Sequence, residues 1–260
     1  MRTGSWFTLD EMTLSTDLLT RAHHAQRPDA ERPAQVDETD VLRRCVHYRE
    51  GFKGIAVSYP AALLRFGSVS AWMQRQRVGV NVATAGELAQ AAVAGIEPGR
   101  IVVHARDGLG ELTNRAVSLE ATRFVLRSSR PVSRIVAHSR RRQHVLIDAT
   151  AEDVGSVAAD LLAHNELDLV GIHCGLAPGD VVGALTLTRA IGEMSWIRRQ
   201  YDVLLTQISI ADLDVGQRCE RWILRRIMGA MSEVIDEACA RHRFPRPALT
   251  LSPSGGTLLG

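Results

Sequence analysis

The sequence predicts an α/β fold in which eight parallel strands close into a barrel, each strand followed by a helix, with no shorter repeat of the solenoid kind. Three observations predict it. Short aliphatic runs alternate with amphipathic stretches along the chain after Pro33, and several runs, Ile101-Val102-Val103 and Leu169-Val170-Gly171-Ile172 among them, are apolar on both faces, as strands covered by helices require. The 260-residue length suits such a barrel, which needs roughly 250 residues. An open doubly wound sheet would usually carry a glycine-rich first turn, and Tyr59-Pro60-Ala61-Ala62 occupies that turn here.

Residues 1–32 form an extension. A helical stretch around Leu14 to Ala22 leads into the polar, Pro-flanked run Ala25–Pro33, which reads as a linker. The barrel is expected over 33–260. Its strands are expected at Gly54–Tyr59, Val78–Ala83, Arg100–His104, Arg123–Leu126, His144–Asp148, Asp168–His173, Gln207–Leu213 and Ala248–Ser252. Helices are expected between them at Ala61–Gln76, Ala85–Ala94, Leu109–Val117, Val132–Arg141, Asp153–His164, Asp180–Gln200 and Cys219–His242. Strand, helix and short loop in alternation describe right-handed βαβ units. In the last long helix Trp222, Ile223, Ile227, Met228, Met231 and Val234 recur at helical spacing and are expected in the core.

Composition narrows the function classes. A 45% hydrophobic, 23% charged chain can bury a sizeable core. Thirty-one basic residues against twenty-nine acidic ones leave a charge of +2, too balanced to point to nucleic acid or a membrane surface. No apolar run reaches about 18 residues. Asp10, Glu11 and Asp17 interrupt the amino-terminal segment, so it does not resemble a secretory signal, and a cytoplasmic protein is the expectation. Cys45, Cys174, Cys219 and Cys239 form no C-x-x-C pair and no zinc-finger spacing, the His23-His24 pair reads as solvated, and no metal is expected. Lys53 is the single lysine, so a Schiff base has one candidate.

The run from Gly79 to His104, with Gly86-Glu87-Leu88, Ala94-Gly95, Pro98 and Arg100, resembles the segment G-x-D-V-x-S-x-G-E-L-x-x-A-L-x-A-G-x-x-P-x-R-I of fold-type III pyridoxal-phosphate decarboxylases, the diaminopimelate, ornithine and arginine group. Val36-Asp37 with Val41-Leu42-Arg43 is similar to the family's entry into the barrel, and Leu169–His173 to its L-x-G-L-H strand. Ile208–Gly216 is similar to the strand ending in its glycine triplet. The resemblance implies the amino-terminal barrel shared by alanine racemase and these decarboxylases, here without the carboxyl-terminal β-domain that completes a dimeric site.

Carried over residue by residue, most of the family's functional groups are replaced. The Schiff-base lysine of Y-A-x-K-A-N falls on Ser58, and Lys53 lies five residues upstream, about 16 Å along a strand and toward the opposite mouth. The H-x-H-x-G-S motif meets His173-Cys174-Gly175-Leu176-Ala177-Pro178. Without a gap its cofactor-stacking histidine falls on Gly175; shifted by two residues it falls on His173, with Leu176 in place of serine. The phosphate-cradling glycine triplet becomes Gly216-Gln217-Arg218, and E-P-G-R becomes Ser252-Pro253-Ser254-Gly255, which removes the carboxylate that keeps the pyridine nitrogen protonated. The strand-five R-x-N-P becomes Asp148-Ala149-Thr150-Ala151.

The expectation is a decarboxylase-like barrel that has lost pyridoxal-phosphate chemistry, holds no covalent cofactor and acts by binding, as a pseudoenzyme or regulatory partner. A diverged or split amino-acid decarboxylase stays open beside it. Ligand contacts are expected at the mouth, from Ser58, His173, Gly216, Arg218, Ser252, Ser254 and Gly255, which suit a phosphorylated small molecule. Ser-Pro-Ser-Gly-Gly would serve equally as a plain carboxyl-terminal tail. His104, His173 and Asp148 near strand ends allow a proton-transfer pair or structural packing. Ser139-Arg140-Arg141-Arg142 is expected to cap a helix carboxyl terminus. Partners are expected to be further copies or a full-length relative, with no nucleic acid or membrane.

Overall fold

In the computed structural model, residues 36–108, 110–176, 180, 182–215 and 220–259 are described, and Asp37–Gly260 forms one unit. The unit opens on a helix absent from the expected elements, α1 (Glu38–Gly51). Asp37 caps it, accepting from the Thr39 amide at 2.9 Å, and Glu38 and Asp40 add negative charge to the first turn, where the helix dipole favours it. Val41, Cys45 and Tyr48 bury one face at the i, i+4, i+7 spacing.

Eight strands follow: β1 (Ala56–Pro60), β2 (Gly79–Val82), β3 (Ile101–Ala105), β4 (Arg123–Leu126), β5 (Gln143–Asp148), β6 (Leu167–Gly175), β7 (Gln207–Leu213) and β8 (Ala248–Pro253). Each pairs in parallel with the next, and β1 closes on β8 through Ala56–Thr250 and Val57–Leu251. The helices covering them are α2 (Gly67–Gln76), α3 (Ala85–Val93), α4 (Gly110–Ser118), α5 (Val132–His138), α6 (Val154–Leu162), α7 (Ala184–Tyr201), α8 (Arg221–His242) and α9 (Gly255–Leu259). The fold is a closed (β/α)₈ barrel. Among the described residues no helix is long and apolar enough to cross a membrane.

Several element boundaries differ from expectation, for local reasons. The stretch Ala61–Gln76 is a 3₁₀ turn, Ala61–Arg65, then α2, because Phe66 takes an extended conformation (φ −93°, ψ 118°) between them. Helix α5 ends at His138, where Ser139 turns extended, so Arg140–Arg142 lie in the loop to β5 and do not cap the helix. On α8 the buried face is Leu224, Ile227, Met231, Ile235, Ala238 and Cys239, while Trp222 is exposed. The expected stripe was off by part of a turn; only Ile227 and Met231 belong to both. The carboxyl-terminal run is not a plain tail but leads into α9, whose Thr257 amide donates to Ser254 Oγ at 3.0 Å.

Strand alternation decides what faces the lumen. On β1, Tyr59 points outward: its hydroxyl donates to the Cys45 carbonyl at 2.9 Å, and its ring meets Trp72 edge-on. Ser58 therefore faces inward. Lower in the lumen Val125, Leu146 and Val170 form an apolar plug with Val102 against it. A register shift lets Val170 join. Val145 pairs with Leu169 and Leu146 with Gly171, so Val170 is the extra residue of a β-bulge. Gly171 is obligatory there, since a Cβ would sit 1.9 Å from the Gln207 carbonyl oxygen.

Candidate functional site

Above the plug, at the carboxyl ends of the strands, lies a cavity of about 1050 Å³. Its floor on the β8–β1–β2 side is a neutral network. Asn81 Nδ2 donates to Ser58 Oγ at 3.1 Å and to Ser252 Oγ at 2.8 Å. Ser58 and Ser252 are both buried. Parallel pairing places Asn81 beside Pro60, one turn of the pleat above Ser58, which brings the amide between the two hydroxyls.

Two histidines also line the cavity. His104 on β3 and His173 on β6 meet edge to face, ring centroids 4.9 Å apart. His173 Nδ1 lies 3.0 Å from Ser209 Oγ. Burial pushes the His104 imidazole down to about 3, with the adjacent His173 and Arg106 adding to the effect and Asp148 opposing it. Burial also lowers His173, against the pull of Asp148 and Asp212. Both rings are therefore neutral at pH 7. Asp148 pairs in register with His173, and its Oδ1 accepts from the Thr150 amide (2.8 Å) and hydroxyl (2.7 Å). Asp212 reaches the cavity from an irregular stretch of β7, at φ +56° within the register shift between Ile210 and Leu213.

The rim is charged, but several of its groups serve the fold. Glu87 closes a capping box with Thr84 at the start of α3. Asp153 caps α6 through the Ser156 amide, and Asp107 pairs with Arg130 at 3.5 Å. Arg106 and Arg127 also line the cavity. Among the described residues no three His, Cys, Asp or Glu side chains converge as metal ligands would.

The expected site residues divide. His173, Ser252 and Gly255 line the cavity, as do His104 and Asp148, and Asp148 acts electrostatically on both histidines. Ser58 lies beneath it, engaged by Asn81. Ser254 does not line it; its hydroxyl is spent on Thr257 at the start of α9. Gly216 and Arg218 lie outside the described residues. Lys53 is exposed in the turn before β1, at the other end of the barrel. Asn81, Arg106, Arg127 and Asp212 were not anticipated. The first three are polar residues of inward parity within or just beyond β2, β3 and β4, and parity alone gave them no role without their neighbours on other strands. Asp212 owes its place to the bulge, which has no sequence mark.

By sequence alone, no family model and no curated protein matches the chain. By structure, diaminopimelate decarboxylase from M. jannaschii superposes with a TM-score of 0.66 at 16% identity, covering 85% of this chain and 60% of that one. Ornithine decarboxylase from Entamoeba histolytica gives 0.64 at 14%, covering 95% and 70%. Lysine decarboxylase from Selenomonas ruminantium gives 0.66 at 15%, covering 97% and 66%. This chain has the fold of the decarboxylase barrel. It spans 60% of the M. jannaschii enzyme's length.

One of the matched lysine decarboxylase structures holds pyridoxal phosphate. The residues of this barrel's cavity do not fit that cofactor as a covalent group. An aldimine needs an amine facing the lumen, and the cavity lining holds no lysine. The two positions that the motif resemblance aligns with lysine and glutamate are Ser58 and Ser252, and Asn81 lies between them. The structure brings all three into one uncharged hydrogen-bonded group.

Proposed function

We propose that this barrel binds a small molecule at its mouth by non-covalent contacts and does not perform the aldimine chemistry of the decarboxylases whose fold it shares. The observation that carries the reading is the Ser58–Asn81–Ser252 network. A single lost lysine is compatible with a relocated nucleophile. Two replacements joined by Asn81 into one hydrogen-bonded group describe a floor suited to neutral contacts. The cavity volume, at the end of the barrel where such folds bind ligands, supports a ligand of metabolite size.

The test is carbon dioxide release from diaminopimelate, ornithine and lysine with pyridoxal phosphate added. The expected rate equals that of the cofactor alone. Release above that blank, lost on His173→Ala, overturns the reading.

A second reading, proton transfer without a cofactor, is favoured by the neutral His104–His173 pair. Solvent deuterium entering a bound ligand, lost on His173→Asn, would establish it.

A further inference from the structure

We propose that the mouth holds an oxyanion, a carboxylate or phosphate group of a small molecule, between Arg106 and Arg127, on the side of the barrel opposite the expected phosphate loops. The inference rests on the ligand-binding reading above and names the group bound.

Three observations lead to it. The first is register. His104 pairs with Val125 and Ala105 with Leu126, so Arg106 and Arg127 are the next residues out on neighbouring parallel strands. Both follow the inward parity of His104 and Val125, and both line the cavity. The second is pairing. Arg130, in the same rim, has Asp107, whereas Arg106 and Arg127 have no hydrogen bond or ion pair among the described residues. Two like charges on adjacent strands repel, and among the described residues no carboxylate forms an ion pair with either. The third is the surroundings. Glu87 accepts from the amides of Ala83 and Thr84, Asp153 from the helix amide of Ser156 and Asp148 from Thr150, so these three carboxylates are turned to backbone and hydroxyl donors, while Glu152 and Asp212 also line the cavity. Beside Arg106 stands the neutral His104, which adds no negative charge and can donate or accept.

Two planar guanidiniums with their donors open to one cavity form the arrangement that binds carboxylate or phosphate in a bidentate manner. An anion there would leave the rest of the ligand over the histidines and the Asn81 floor. That floor offers amide and hydroxyl groups and carries no charge, so the buried end of the ligand is hydroxyl- or carbonyl-bearing.

The experiment follows thermal unfolding of the full chain against inorganic phosphate and, in a second arm, succinate, each at ionic strength matched with sodium chloride. A saturable rise in melting temperature is expected in at least one arm, and the stronger arm identifies the oxyanion. Arg106→Gln and Arg127→Gln should each weaken the apparent affinity about tenfold, and the double variant should abolish the rise. Arg127→Lys, which keeps the charge without the fork, should fall between. Without added anion the Gln variants should melt no lower than the parent, which separates lost binding from lost folding. Arg142→Gln, at the other end of the barrel, is the control. The inference is overturned by no saturable rise in either arm, or by a rise that survives in the double variant. Either result leaves the carbon dioxide assay unaffected, so the two readings fail separately.

Discussion

Asn81 holds the floor of the cavity through two hydrogen bonds that its amide alone donates. Asn81→Ala strands two buried hydroxyls and should lower stability by about 1–3 kcal/mol. In a domain of this size that is a fall of roughly 2–12 °C in melting temperature, and an unchanged value would show that the network is incidental. His104, on the strand beside Asn81's, gives the cavity wall a pH dependence whose sign is fixed. Its imidazole titrates at 6.5 when free and at about 3 when folded, so on acidification the unfolded chain takes up the proton first. The stability it carries is full above pH 6.5 and is lost as pH falls toward 3. His104→Gln should therefore flatten the acid limb of a stability–pH curve by up to about 1.4 kcal/mol per pH unit, and an unaltered limb contradicts this assignment. At this scale the sequence was half legible. Ser58 and Ser252 stood out because a motif gave them a reference, whereas Asn81, Arg106 and Arg127 needed neighbours on other strands to acquire meaning.

Among the elements, β6 is the most constrained. Its bulge sends Val170 into the plug, and Gly171 lets β7 pass. Gly171→Ala drives a methyl into a backbone carbonyl that cannot swing away, and should cost about 3 kcal/mol or more, with low recovery of folded protein by circular dichroism. Helix α3 offers a milder case. Thr84→Ala removes the hydroxyl that accepts from the Glu87 amide at 3.1 Å and should cost about 1 kcal/mol in urea unfolding. The strands were legible because β-branched runs bounded by turns are a local signal: Arg123–Leu126 and Gln207–Leu213 were placed at both ends. Helix α1 was missed although Val41, Cys45 and Tyr48 carry its period. Its other residues are mostly charged, and its partner, Leu224 of α8 beside Gly51, lies far along the chain.

For the whole molecule, the alternation of elements specified the closed barrel, since strands apolar on both faces have few other arrangements. The fold is shared with decarboxylases at 14–16% identity, a level at which the barrel persists while its mouth is free to change. The mouth of this barrel has a neutral Ser58–Asn81–Ser252 floor and a neutral histidine pair, with Lys53 at the far end. The most direct test of that account is borohydride reduction after incubation with pyridoxal phosphate, read by peptide mass mapping of the parent and of Lys53→Arg. The account predicts that any reduced adduct lies on Lys53 or the amino terminus, that the Lys53 adduct vanishes in the variant, and that neither protein consumes diaminopimelate, ornithine or lysine. An adduct on Lys53 accompanied by consumption of one of these amino acids, with both lost in Lys53→Arg, would contradict it.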